Sequence, residues 1–317
     1  MFGKAFVRDL MTRSAQTDTD RRRFLQAASA TGLGVVGASV LGGGVAQAAS
    51  SRHAAATAAA APSDPAILNF ALNLEYLEGE FYHRAVFGTG LPDSLTDGKF
   101  GRGSVVGGRA VPFKSKIVKQ LADEISWDEL HHVGFLRGAL GASKVGRPNI
   151  DIQASFTAAA RAAKLIKPNE TFDPYANENN FLLAAFIFED VGVTAYKGAA
   201  PLISNKTYLE AAAGILAVEA YHASAIRTLL YERGLGAASV AISNARDSLD
   251  GASDDDQGAI RGPNGVFNDT PTDGNGIAYS RSADKVLNIV YLTPKAATKG
   301  GFFPSGVNGV INASSGS

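Results

Sequence analysis

The stretch Ile125-Ser-Trp-Asp-Glu-Leu-His-His-Val-Gly-Phe-Leu136 sets Glu129 and His132 three residues apart inside an apolar helical run. Ninety residues later Ala211-Ala-Ala-Gly-Ile-Leu-Ala-Val-Glu-Ala-Tyr-His-Ala-Ser-Ala-Ile226 repeats the pattern with Glu219 and His222. Three residues at 100° each return to within about 60° on a helix, so each pair presents a carboxylate and an imidazole on one face. Glu219 follows eight uncharged residues, and Glu189 follows eight more in Phe181-Leu-Leu-Ala-Ala-Phe-Ile-Phe-Glu189. An unpaired carboxylate in such a run costs several kcal/mol of desolvation. A divalent cation removes that cost for several carboxylates at once.

A fourth apolar run, Leu72-Asn-Leu-Glu-Tyr-Leu-Glu-Gly-Glu-Phe-Tyr82, adds Glu75, Glu78 and Glu80. The order along the chain is Glu, Glu-x-x-His, Glu, Glu-x-x-His, with Glu75, Glu129, His132, Glu189, Glu219 and His222 as the candidate metal ligands. Four carboxylates and two imidazoles from four helices are the donor set of carboxylate-bridged di-iron and di-manganese bundles. Hard oxygen donors with imidazole suit Fe or Mn. One Glu-x-x-His pair is a weak signal, more often a surface pair than a ligand pair. Two on separate long helices, in a chain with five histidines, are a much stronger one.

Four segments carry helical periodicity without internal proline: about Ala66 to Phe87, Ser115 to Leu140, Asn179 to Ala199 and Lys206 to Arg233. Ser63-Asp64-Pro65 starts the first, and Gly234 is placed to end the last. The third and fourth are joined by a few residues, and the second and third by a forty-residue crossover with a shorter helix within Ile150 to Ala163. The first connection, Gly88 to Gly108 and beyond, reads as an insertion in a surface loop. The fold class expected is all-α: a ferritin-like antiparallel four-helix bundle with long loop insertions and a Gly-rich C-terminal extension. Residues 235–280 are poor in apolar side chains and read as loop, with one short fifth helix at about Arg281 to Leu292. The domain reading is 1–48 leader, 49–63 flexible segment, 64–234 bundle and 235–317 extension.

The 317 residues carry 30 Lys+Arg and 30 Asp+Glu, which removes the usual electrostatic case for nucleic acid. Zero cysteines exclude disulfides, thiolate metal sites and a cysteine nucleophile. The N-terminal Arg21-Arg22-Arg23-Phe24-Leu25, a weakly apolar stretch to Gly44 and the small-x-small Ala46-Gln47-Ala48 together read as a cleavable leader of twin-arginine type. Such a leader implies export to the periplasm or outside the cell. Cleavage after Ala48 would remove six basic and three acidic residues, leaving a formal charge of −3.

The constellation resembles the ferritin-like superfamily. More closely, Asn69-Phe-Ala-Leu-Asn-Leu-Glu-Tyr-Leu-Glu-Gly-Glu-Phe-Tyr82, Phe188-Glu-Asp-Val-Gly-Val-Thr-Ala-Tyr196 and the tail Gly300-Gly-Phe-Phe-Pro304 with Gly306-Val-Asn-Gly309 resemble exported ferritin-like proteins related to plant desiccation-induced proteins. The resemblance covers roughly residues 63 to 311. It implies that Glu129 and Glu219 bridge two metals, with His132, His222, Glu75 and Glu189 each binding one. The superfamily commonly places a tyrosine seven residues after the first-helix ligand, and Tyr82 is seven after Glu75. Gly79, one turn beyond Glu75, leaves room beside a metal. Glu78 is the alternative first-helix ligand, and Glu80 is expected to be solvated. Asp128 is either an acid that orients a ligand histidine from outside the metal shell or a plain surface acid. Asp190 is expected to pair with Lys197 or cap a loop, and His83 and His131 to lie outside the centre.

The implied cofactor is a pair of Fe or Mn ions, and the implied chemistry is reaction with O2 or hydrogen peroxide, as a ferroxidase, peroxidase or catalase. The contrasting expectation is a metal-stabilised scaffold that protects the cell envelope under stress. The expected partners are metal ions and O2 or peroxide, with room for a homo-oligomer, no nucleic acid, and no membrane span once the leader is cleaved.

Overall fold

The first long helix begins where Ser63 stays extended, Pro65 fits the first turn and Asp64 adds a favourable negative charge. It runs Asp64–Phe87 (α1) and stops at Gly88, whose φ of 75° lets its N–H reach Arg84 O. The computed structural model describes residues 61–316, so the leader and most of the flexible segment read from the sequence lie outside the described residues. The other long helices are Lys116–Leu140 (α2), Glu178–Ala199 (α4) and Lys206–Glu232 (α5), all within two residues of the bounds the periodicity predicts. A shorter helix, Ala154–Ala162 (α3), lies in the crossover. Asn177 and Asn205 cap α4 and α5 with their side chains.

Caps also join helices end to end. Asp64 accepts hydrogen bonds from the backbone of Ser204 and Asn205, tying the start of α1 to that of α5. Glu178 accepts from Lys114 and Ser115, tying the start of α4 to that of α2. α1 packs on α2 and α4 on α5, and the two hairpins face each other as a four-helix bundle. The running directions follow from the contacts: Tyr82 reaches Glu189 while Glu75 reaches Tyr196, so α1 and α4 are antiparallel.

The first connection is not a free loop. Val105–Val106 (β1) pairs in parallel with Ile150–Asp151 (β2), fastening it to the crossover. Arg137 of α2 donates to Ser94 O and Asp97 O from the same connection.

The C-terminal extension departs most from expectation. Residues 236–250, read as loop, form a helix, Gly236–Asp250 (α6), ahead of Ala283–Val290 (α7). The extension therefore carries two helices and the hairpin Ile260–Arg261 (β3) with Val266–Phe267 (β4). The buried face of α6 is mainly Ser239, Ser243, Arg246 and Asp250 with a single Ile242, so hydrophobic periodicity carries little signal there. Phe302 from the tail packs on Phe156 of α3 and Phe188 of α4 at 5.0 Å each, and Phe81 of α1 joins them. Gly301 makes the turn that delivers Phe302, with φ +45° and a would-be Cβ 2.6 Å from Val290 O. Among the described residues no helix is long and apolar enough to cross a membrane.

Candidate metal centre

The middle of each long helix points its polar residues inward. Glu75 and Glu78 come from α1, Glu129 and His132 from α2, Glu189 from α4, and Glu219 and His222 from α5; all are buried. Two groups of four converge, Glu75 with Glu129, His132 and Glu219, and Glu129 with Glu189, Glu219 and His222. Within each group the donor atoms lie within 4.8 Å of one another, and Glu129 and Glu219 belong to both. All six sequence-derived candidates are thus brought together. Glu78, the alternative, is buried beside them but stands in neither group.

The histidines face the cluster through Nδ1. His132 Nδ1 lies 3.3, 3.5 and 3.6 Å from oxygens of Glu75, Glu129 and Glu219. His222 Nδ1 lies 3.4 Å from oxygens of both Glu129 and Glu189. Ligand atoms about 2.1 Å from a shared ion stand about 3.0–3.4 Å apart for octahedral to tetrahedral angles, close to these separations. Eight buried atoms of the cluster have no hydrogen-bond partner among the described residues: Glu75 Oε2, both oxygens of Glu129 and of Glu219, Glu189 Oε2, and Nδ1 of His132 and His222. Buried polar atoms are nearly always satisfied, and orphans gathered on one point call for a missing partner. Six side chains whose unsatisfied atoms are carboxylate oxygens and imidazole nitrogens at this spacing fit a bound divalent cation.

Electrostatics agree. Burial first, then the neighbouring carboxylates, push Glu78 and Glu219 well above the usual carboxylate range. Burial raises Glu75 to about 7 against the opposing pull of His132, and raises Glu189 against that of His222. Glu129 alone is lowered: burial opposes this, but His132 and His222 on either side outweigh it. The imidazoles are raised despite their burial, His132 to about 11 by Glu75 and Glu129, and His222 to about 12 by Glu189, Asp128 and Glu129. Without a cation the cluster holds its charge down by binding protons.

Around the donors a second set of contacts fixes their directions. Tyr82 Oη donates to Glu189 Oε1, and Tyr196 Oη donates to Glu75 Oε1, leaving Oε2 of each carboxylate free toward the centre. Asp128 Oδ2 sits 3.1 Å from His222 Nε2. Tyr196 was not singled out in the sequence, although its seven-residue distance from Glu189 repeats that of Tyr82 from Glu75.

Three expectations need correction, and the placing of His83 and His131 outside the centre holds. Glu80 is fully buried, paired with Arg84 at 2.9 Å and with Arg147 from the crossover. Gly79 does not face the centre; a Cβ there would meet the Leu91 methyls at 3.1 Å. The glycine that makes room is Gly192, whose Cβ would lie 2.4 Å from Glu219 Oε2. Asp190 pairs neither with Lys197 nor with a loop but with buried Arg227 at 2.8 Å and Arg246 at 3.1 Å. His83 contacts Thr89 O and His131 is exposed against Trp127, both outside the cluster.

Comparison with known proteins adds a family model, described as ferritin-like domain, that matches residues 63–232. The desiccation-related protein PCC13-62 of Craterostigma plantagineum is 37% identical over 174 residues, which is 54% of this chain and 54% of that protein. The chain thus matches about half the length of that relative. The ferritin-like catalase Nec2 of Nesocodon mauritianus is 27% identical over 270 residues, 78% of this chain and 85% of that protein. No solved structure matches.

Proposed function

This chain belongs to the ferritin-like domain family, and we propose that its buried cluster holds two Fe or two Mn ions and reacts with O2 or hydrogen peroxide, foremost by disproportionating peroxide. The observation that carries this reading is the set of eight unsatisfied donor atoms facing one point. A bound metal pair would supply reversible one-electron changes at two adjacent ions, enough for 2 H2O2 → 2 H2O + O2.

The chain's own residues have assignable parts. Glu129 and Glu219, common to both groups, would bridge. Glu75 with His132 would hold one ion, and Glu189 with His222 the other. Tyr82 and Tyr196 hold one oxygen of each terminal carboxylate so that the other points inward. Leu74, Leu77, Ile187 and Val191 lie close around Glu78 and keep that side apolar. With no cysteine in the chain there is no internal thiolate relay for electrons. Peroxide disproportionation needs none, because one peroxide is the reductant of the other. The alignment with a relative named ferritin-like catalase over most of its length supports the same choice.

The match to a desiccation-related protein favours a second reading, a metal-stabilised scaffold for stress protection without turnover. Metal analysis of the purified protein followed by O2 release from hydrogen peroxide separates the two. The catalytic reading requires bound metal and O2 release, both abolished by Glu219→Ala. Metal-loaded protein that leaves peroxide untouched would favour the scaffold. We further propose export by a twin-arginine-type leader, on the strength of Arg21-Arg22-Arg23-Phe24-Leu25 and Ala46-Gln47-Ala48. Sequencing protein from its own cells should then give a start near Ala49, and intact Met1 in the cytosol would contradict it.

A further inference from the structure

The two hairpins repeat each other around the centre. Glu75 corresponds to Glu189 and Tyr82 to Tyr196, each tyrosine seven residues on and bonded to the other hairpin's glutamate. Glu129 and His132 correspond to Glu219 and His222. The correspondence extends to the cluster, where each histidine presents Nδ1 to its own hairpin's terminal carboxylate and to Glu129.

It fails beside the histidines. The residue before Glu129 is Asp128, and its carboxylate meets His222 Nε2 at 3.1 Å. The residue before Glu219 is Val218, which offers nothing to His132. Among the described residues His132 makes ion-pair contacts through Nδ1 only, and its Nε2 has no hydrogen-bond partner. The symmetry fails a second time where Glu78, three after Glu75, corresponds to Gly192, three after Glu189. At that second departure Gly192 lies against Glu219, which both groups share, and Glu78 stands in neither group.

A histidine that ligates through Nδ1 must carry its proton on Nε2. A carboxylate accepting that proton fixes the tautomer, holds the ring in place and makes Nδ1 a better donor. His222 has this support and His132 does not. We infer that the two metal positions are unequal: the one formed by Glu189 and His222 fills first and tightly, and the one formed by Glu75 and His132 is the weaker, exchangeable position. Asp128 is the positioning residue that creates the difference. The inference rests on the dinuclear reading above. Loss of such a partner typically weakens metal binding about 10–100-fold, which sets the expected gap.

The test adds Mn(II) stepwise to the metal-free full-length protein at constant pH, with calorimetry for affinities and anomalous diffraction from crystals loaded with one and with two equivalents for location. The expected result is two steps of one equivalent each, at least about tenfold apart, with the one-equivalent anomalous peak beside His222 and a peak beside His132 only at two equivalents. Asp128→Asn should bring the first step down toward the second. Val218→Asp should raise the second, a gain that mere damage to the fold cannot produce. Two equivalents bound with equal affinity, or a first peak beside His132, would overturn the inequality and leave the dinuclear reading standing. Fewer than two equivalents bound would remove the dinuclear reading and the inequality with it.

Discussion

At Gly192 a single missing methyl group separates two demands, since helix stability favours alanine and the centre does not. Replacing an interior helical glycine by alanine gains about 1 kcal/mol of helix propensity, while the new Cβ would stand 2.4 Å from Glu219 Oε2 and displace that carboxylate. Gly192→Ala should therefore leave the melting point of the metal-free protein unchanged or higher, and shrink the rise that Mn(II) produces. An undiminished metal-dependent rise would mean that Glu219 is not a ligand. The protons in the cluster give a second expectation. With His132 raised to about 11, His222 to about 12 and Glu75 to about 7, the metal-free cluster at pH 7 carries protons that ligation must expel. Metal binding should release protons and tighten as pH rises, which calorimetry in buffers of different ionisation heat reads directly; no release at pH 7 would contradict the assignment. At this scale the sequence was legible wherever a charge interrupts an apolar face, as at Glu129, Glu189 and Glu219. It was not legible at Glu80, which looks solvated on its own helix but is buried with Arg84 and with Arg147, which arrives from 67 positions away.

At the scale of elements, α7 docks through an apolar face of Val286, Leu287, Ile289 and Val290, whereas α6 is held mainly by charge. Arg246 links Asp190 of α4 to Asp256, and Arg281 links Asp250 of α6 to Asp256 at 2.5 and 2.8 Å. Arg227 and Arg246 also lie over the Phe186 ring at 5.4 and 4.7 Å. Breaking a buried pair by removing one partner leaves an uncompensated charge and costs about 3–5 kcal/mol. Arg281→Met should lower the unfolding free energy by about that amount in urea titration, since Asp250 then loses its only ion partner among the described residues. A loss below about 1 kcal/mol, the scale of a surface pair, would show that the network adds little. The same network explains why α6 escaped a reading by hydrophobic period: Ser239, Ser243, Arg246 and Asp250 are buried because their partners satisfy them. The four long helices, with apolar faces and conventional caps, were legible to within two residues at every end.

Over the whole molecule, the proposed metal pair would join the α1–α2 hairpin to the α4–α5 hairpin through Glu129 and Glu219. Ligand that binds only the folded state stabilises it by about 2.7 kcal/mol at a hundredfold excess over Kd, roughly 4–5 °C in the melting point of a chain of this size. Chelation should lower the midpoint by that amount, and re-addition of Fe(II) or Mn(II) should restore it. The bundle's topology was readable from helix lengths and connections. The pairing of the first connection with the crossover and the docking of Phe302 were not, because they depend on contacts between distant segments. The most direct test of the central claim is anomalous diffraction from crystals of the full chain grown with Mn(II). Two peaks about 3.5–4 Å apart, flanked by Glu129 and Glu219 with His132 on one and His222 on the other, are the expected result. No peak among these six side chains, with Mn(II) bound elsewhere or not at all, would contradict it.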